Sequence, residues 1–193
     1  MSHLNKNTVI YSVGEVKELV KQAKSGNHSS FAKLYEAFFT PVYRYVFSRI
    51  HDKDISDDIV QTVFIKWWGS LPNYELRISP LQYLFVIARR LLIDNYGKAQ
   101  FSSLDEKGIL EIVDETPLAD ESLDIKITTE QVLEQFKHLS ELQQEVLRLH
   151  FFAELNTEEI AQLINKKEDT VRQIKHRALT TLRVVTKSIN DNN

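Results

Sequence analysis

The chain has no cysteine, and only five glycines and four prolines among 193 residues. Without cysteine there is no disulfide framework, no thiolate metal centre and no cysteine nucleophile. Few glycines and prolines leave few punctuation points, so long uninterrupted elements are expected. No apolar run reaches the roughly 18 residues that suggest a membrane-crossing helix. The polar start, Met1 to Lys6, lacks the basic-then-apolar layout of a secretory signal. These absences make the cytoplasm the expected compartment. Catalytic patterns are missing too: there is no glycine-rich phosphate loop and no histidine pair at helical spacing. The one acidic-histidine cluster is His51, Asp52, Asp54, Asp57 and Asp58. It sits in a polar inter-helix turn, where such residues serve as caps. Neither an enzyme nor a metal or other cofactor is expected.

What the chain does contain is helical periodicity. Apolar residues recur at a 3.6-residue period over long stretches, and no convincing period-2 strand is visible. The fold class is therefore all-α, with helices expected near 13–24, 28–50, 55–70, 79–97, 128–138, 139–153, 157–164 and 168–188. The second helix is expected to break near Thr40-Pro41, because proline disfavours helix at the residue before it. Asp57 and Asp58 fall in the expected first turn of the third helix, where negative charge suits the dipole. Ser79-Pro80 opens the next helix, with serine as cap and proline at the first helical position.

Charge divides the chain more sharply than its net value of −3. Residues 1–98 carry a balance of +4, residues 99–128 one of −6, and residues 129–193 one of −1. Two helical domains, 1–98 and 128–193, are thus expected on either side of an acidic linker, 99–127. Pro117 interrupts that linker, yet it holds Leu104, Ile109, Leu110, Ile112, Val113 and Leu118, more apolar residues than a plain spacer would.

Thr157 to Arg177 is the most informative segment. Ile160, Ala161, Ile164, Val171, Ile174 and Ala178 give two helices one shared apolar seam. Asn165 tolerates the left-handed backbone that the turn between them needs. The second helix projects Arg172, Gln173, Lys175, His176 and Arg177. From 165 to 187 the local balance is +5. This is the pattern of a helix-turn-helix whose second helix enters a major groove, although any αα-hairpin supplies two amphipathic helices.

Two separated blocks carry a wider resemblance. Residues 31–98 contain F-x-x-L-Y (31–35), V-Y-R-Y-V (42–46), D-D-I-V-Q-T-V-F-I-K-W-W (57–68) and P-L-x-Y-L-F-x-I-A-R-R-L-L-I-D-N-Y (80–96). Residues 139–183 contain L-S-E-L-Q-Q-E-V-L-R-L-H-F-F (139–152), the helix-turn-helix and H-R-A-L-T-T-L-R (176–183). Together they resemble a bacterial RNA polymerase sigma factor of the sigma-70 family, in the extracytoplasmic-function (ECF) group that retains regions 2 and 4.

The resemblance implies a transcription initiation factor that binds core RNA polymerase through its β′ and β subunits and directs promoter recognition and melting. It implies that Asp57, Asp58, Gln61, Thr62, Lys66 and Trp68 face a coiled coil of the polymerase β′ subunit. It implies that Asn73, Tyr74, Arg77, Arg89, Arg90 and Lys98 capture the non-template single strand of the −10 element. A flipped base needs a stacking ring and a hydrogen-bonding rim, which Tyr74 and Asn73 supply as residue types. It implies that Arg172, Gln173, Lys175, His176 and Arg177 read the −35 duplex, arginine suiting guanine and glutamine adenine, with Lys166 and Lys167 on phosphate and Thr170 beside them. The acidic linker would thread toward the polymerase active cleft. An anti-sigma factor, or a second DNA-bound recruiting protein, is the expected kind of regulator. The competing reading is a helix-turn-helix regulator that never touches polymerase, and the 57–68 block discriminates the two.

Overall fold

The computed structural model describes residues 11–75, 78–96 and 135–190. Among them are seven α-helices and no strand: α1 Val13–Lys24, α2 His28–Ile50, α3 Lys53–Ser70, α4 Pro80–Tyr96, α5 Glu141–Phe151, α6 Thr157–Leu163 and α7 Glu168–Asn190. Short 3-10 turns follow α3 (Leu71–Asn73) and precede α5 (Phe136–His138). The linker 99–127 and most of the helix expected over 128–138 lie outside the described residues.

Caps explain where most helices start. Ser12, Ser140 and Asn156 each accept the amide three residues on, while Glu15, Gln143 and Glu159 bond back to the cap amide. Ser79 and Gln82 make the same reciprocal pair at the start of α4, at 3.2 and 2.9 Å. Asp52 caps α3 by accepting from the Ile55 amide. The third helix therefore begins earlier than expected, and Asp57 and Asp58 lie in its second turn.

The break expected at Thr40-Pro41 does not occur. Helix α2 runs through Pro41 for 23 residues. An internal proline costs about 3 kcal/mol through its missing amide and its ring. Leu34 on one side of it and Val42, Tyr45 and Val46 on the other are all buried, and their packing holds the helix continuous.

Helices α1 to α4 pack around Leu34, Tyr45, Val60, Trp67, Leu84 and Phe85. Helices α5 to α7 pack around Leu149, Leu155, Ile160 and Val171. These two sets belong to one continuous apolar cluster. A smaller cluster, Phe136, Leu139, Leu147 and Ala178, sits under the second set. The two blocks touch through α2 with α5 and through α4 with α6. At that seam lies a buried ionic group. Glu145, 0% exposed, is paired with Arg49, accepts from Tyr45 Oη at 2.9 Å and has Arg89 Nε at 3.6 Å. Arg148 Nε donates to the Ser48 carbonyl at 3.2 Å. Burial, and then the Glu145 charge, pushes the Tyr45 phenol far above its ordinary range. Burial, and then neighbouring Arg49, lowers the Arg148 guanidinium to about 10.

Candidate polymerase and DNA interfaces

The helix-turn-helix forms as its residues require. Helix α6 ends at Leu163, and Asn165 takes the left-handed conformation at φ 54°. The Lys166 amide donates to Ala161 O at 2.9 Å and the Asn165 amide to Gln162 O at 3.4 Å. This is the paired closure of a Schellman turn. Ile160, Ala161, Val171, Ile174 and Ala178 are buried along the seam. Ile174, at 9% exposure, points inward, so the register of α7 turns Arg172, Gln173 and His176 outward. Lys175, Arg177, Lys166 and Thr170 are half-buried and Lys167 is exposed.

Arg172 does not present a bare charge. It pairs with Glu168 one turn back and with Asp169 at 2.8 Å. Both carboxylates occupy the first turn of α7, where they complement the helix dipole. A duplex phosphate or base edge must displace them to take Arg172.

On α3, Asp57, Asp58, Gln61 and Lys66 are exposed in a row, as the amphipathic pattern predicts. Thr62 is half-buried and donates to the Asp58 carbonyl at 2.9 Å. Trp68 is also half-buried, stacked on His28 at 4.9 Å and edge-on to Phe31 at 4.7 Å. Its neighbour Trp67 is the core residue.

The sequence reading missed the apolar part of this surface. Ile65, 62% exposed, sits among the polar residues of α3. On α2, Tyr35, Phe39, Tyr43 and Phe47 form a ladder, with ring centroids 5.4, 5.7 and 5.9 Å apart. Partial burial raises the Tyr35 and Tyr43 phenols, and the Asp57 charge raises them further, so α2 and α3 share this face. The signal was present as aromatics at i, i+4, i+8 and i+12, a spacing that also reads as core.

The single-strand set is brought together only in part. Asn73 is exposed on the 3-10 turn. Tyr74 corrects the expectation of an open stacking ring: it is 5% exposed, lies 5.1 Å from Tyr83 and donates its hydroxyl to Ile78 O at 2.8 Å. Burial, and then Tyr83, raises its phenol to about 12. Lys24 of α1 ties down the same loop, donating to Tyr74 O at 2.7 Å. Arg89 is also not free for phosphate here, because it turns toward Glu145. Arg90 is exposed, 3.9 Å from Asp94. Arg77 and Lys98 lie outside the described residues. Among the described residues no group of three or more acidic or histidine side chains is arranged to hold a metal. No described helix is long and apolar enough to cross a membrane.

A family profile described as Sigma-70 region 2 matches residues 34–101, and one described as Sigma-70, region 4 matches residues 136–184. The chain is 25% identical over 167 residues to the ECF RNA polymerase sigma factor BldN of Streptomyces coelicolor, covering 86% of this chain and 63% of that relative, just under two thirds of its length. It is 28% identical over 162 residues to the ECF RNA polymerase sigma factor SigX of Bacillus subtilis, covering 80% of this chain and 82% of the relative. In fold it is similar to CnrH, solved in complex with the cytosolic domain of CnrY, with a TM-score of 0.68 at 19% identity over 90% of this chain and 98% of the other. It is also similar to the sigma factor RpoE solved with the anti-sigma factor NepR from Bartonella quintana, with a TM-score of 0.52 at 18% identity over 90% and 95%. The two profiles fall in order on helices α2–α4 and α5–α7, and the chain belongs to the sigma-70 family, in its extracytoplasmic-function group.

Proposed function

We propose that this chain is a transcription initiation factor that binds core RNA polymerase, directs it to a promoter and assists strand opening, with no bond chemistry of its own. The observation that carries this reading is the pairing, in one chain, of an outward basic recognition helix with an α3 face of exposed carboxylates, amides and Ile65. A regulator that only binds duplex DNA has no use for the second. The cytoplasm, where such a polymerase works, is the compartment that goes with it.

In this reading Asp57, Asp58, Gln61, Thr62, Lys66 and Trp68, joined by Ile65 and the α2 ladder, meet the β′ subunit. Asn73 and Arg90 take the single strand as they stand. Tyr74 and Arg89 would serve it only after rearrangement. Arg172, Gln173, Lys175, His176 and Arg177 read the upstream duplex, and Lys166, Lys167 and Thr170 flank its phosphates. The complex of the sigma factor RpoE with the anti-sigma factor NepR, similar in fold, supports an anti-sigma factor as the regulator.

The deciding experiment is co-purification with core polymerase, followed by promoter opening on a library of upstream sequences. Duplex binding without any polymerase association would favour the plain regulator. Three expectations refine the test. Arg172→Ala and Arg177→Ala should each weaken specific duplex binding by about 1–3 kcal/mol, as loss of a bidentate base contact does. Lys166→Ala should weaken all sequences alike and reduce the salt slope by about 1. Fluorescence titrations over a salt series separate these outcomes. Gln61→Ala combined with Lys66→Ala should weaken polymerase association by about 1–2 kcal/mol without moving the melting temperature, because both side chains are exposed.

A further inference from the structure

A recognition helix touches base edges through the residues of its N-terminal turn. In α7 that turn opens on two carboxylates, Glu168 and Asp169. The sequence reading gave neither a part in DNA contact. The structure ties both to a residue that has one. Arg172 Nη1 donates to Asp169 Oδ1 at 2.8 Å, and Arg172 Nη2 pairs with Glu168. The group stands outward: the Asp169 side chain is 83% exposed, Arg172 47% and Glu168 43%. Val171, Ile174 and Ala178 are buried and fix this register, so the ion pair shares the outward side of α7 with Gln173 and His176.

Resting on the duplex-reading role proposed above, this pair meets two kinds of DNA partner. A phosphate satisfies the arginine alone. It draws the guanidinium off two carboxylates and leaves them facing a polyanion, so little is gained. A G·C pair satisfies both sides. In the major groove guanine offers O6 and N7 as acceptors for a bidentate arginine, and cytosine offers its N4 amino group to a carboxylate. An A·T pair sets a donor beside adenine N7, so the arginine loses its bidentate contact. Magnitudes favour the exchange. An exposed ion pair holds its partners by a factor of about five at most. A good bidentate base contact discriminates by roughly five- to hundredfold. Residues 169 and 172 are separated by about 4.5 Å of helix rise, against roughly 3.4 Å between stacked base pairs, so they reach the same pair or adjoining ones.

We propose that Asp169 is a base-reading residue that selects cytosine, beside Arg172 on guanine, and that the ion pair between them keeps Arg172 from settling on phosphates elsewhere. The target is the major-groove edge of one or two adjoining G·C pairs in the upstream duplex. Arginine and carboxylate give each other up there, and the bases compensate both. Glu168, the less exposed carboxylate, contributes only to the restraint on Arg172.

The test assembles the full chain with core polymerase and selects bound duplexes from a library randomised over the upstream element. A scrambled duplex gives the non-specific reference. The wild-type factor is expected to enrich a G·C pair whose preference Arg172→Ala abolishes. Asp169→Ala should lower the preference for cytosine about tenfold, at that pair or the adjoining one, and raise affinity for the scrambled duplex severalfold. Asp169→Asn keeps the shape without the charge and should move the preference toward adenine, which an amide reads through N6 and N7. A helix-capping role alone would change stability and leave base preference where it was. If Asp169→Ala fails to fold, Asp169→Asn carries the test. Unchanged base preference in the folded variants overturns the proposal, as does a change more than one base pair from the position that Arg172 reads. Unchanged affinity for the scrambled duplex overturns the restraint. A wild-type chain that forms no complex with polymerase, or enriches no upstream sequence, overturns the assigned function instead.

Discussion

Glu145→Ala is expected to destabilise the protein by about 3–5 kcal/mol, the usual loss when one member of a buried ion pair is removed. The carboxylate is fully enclosed. Its removal takes the nearer counter-charge from Arg49, leaving Glu141 at 3.5 Å, and leaves the Tyr45 hydroxyl without its acceptor. Urea unfolding followed by circular dichroism measures the loss. The chemistry also predicts the rescue. Glu145→Leu combined with Arg49→Met deletes both charges and should recover most of the stability, since apolar replacements of buried pairs are often neutral or better. A double variant as unstable as the single one would mean that shape at the seam, not charge, carries the energy.

Trp67→Ala is expected to cost a similar 3–5 kcal/mol, through cavity formation in the first block. Trp67 is fully buried, and its ring lies 5.4 Å from Phe31, 6.1 Å from Phe38 and 6.2 Å from Phe64. Against a typical total of about 5–15 kcal/mol, that loss leaves little folded margin. Its indole N–H has no hydrogen-bond partner among the described residues. Trp67→Phe therefore sacrifices no bond and should cost well under half as much. Thermal unfolding of the two variants distinguishes packing from polarity at this position. Equal losses would point to an acceptor for the indole.

Much of this architecture is legible from residues alone. The helix starts at Ser79, the turn at Asn165 and the inward row Val171, Ile174, Ala178 follow from caps, backbone preference and periodicity, all local properties. The failures share a cause. Pro41 looks like a break because the rule is local, whereas burial on both sides of it is tertiary. Tyr74 looks available because loop aromatics can stack bases, but Tyr83 and the Ile78 carbonyl claim it first. Glu145 looks like an ordinary polar position on α5. Its partners lie 96 and 100 residues earlier, and no window of sequence displays that proximity.

Helix α2 carries two unlike surfaces on one continuous helix, about 35 Å long at 1.5 Å per residue. Tyr43 stands in the outward aromatic ladder, while Tyr45, two positions on, donates to the buried carboxylate. In a genetic screen, lesions at these near neighbours would fall into opposite classes. Changes at 43 would weaken partner binding with the fold intact, while Tyr45→Phe would lower stability by removing a hydrogen bond to the buried carboxylate.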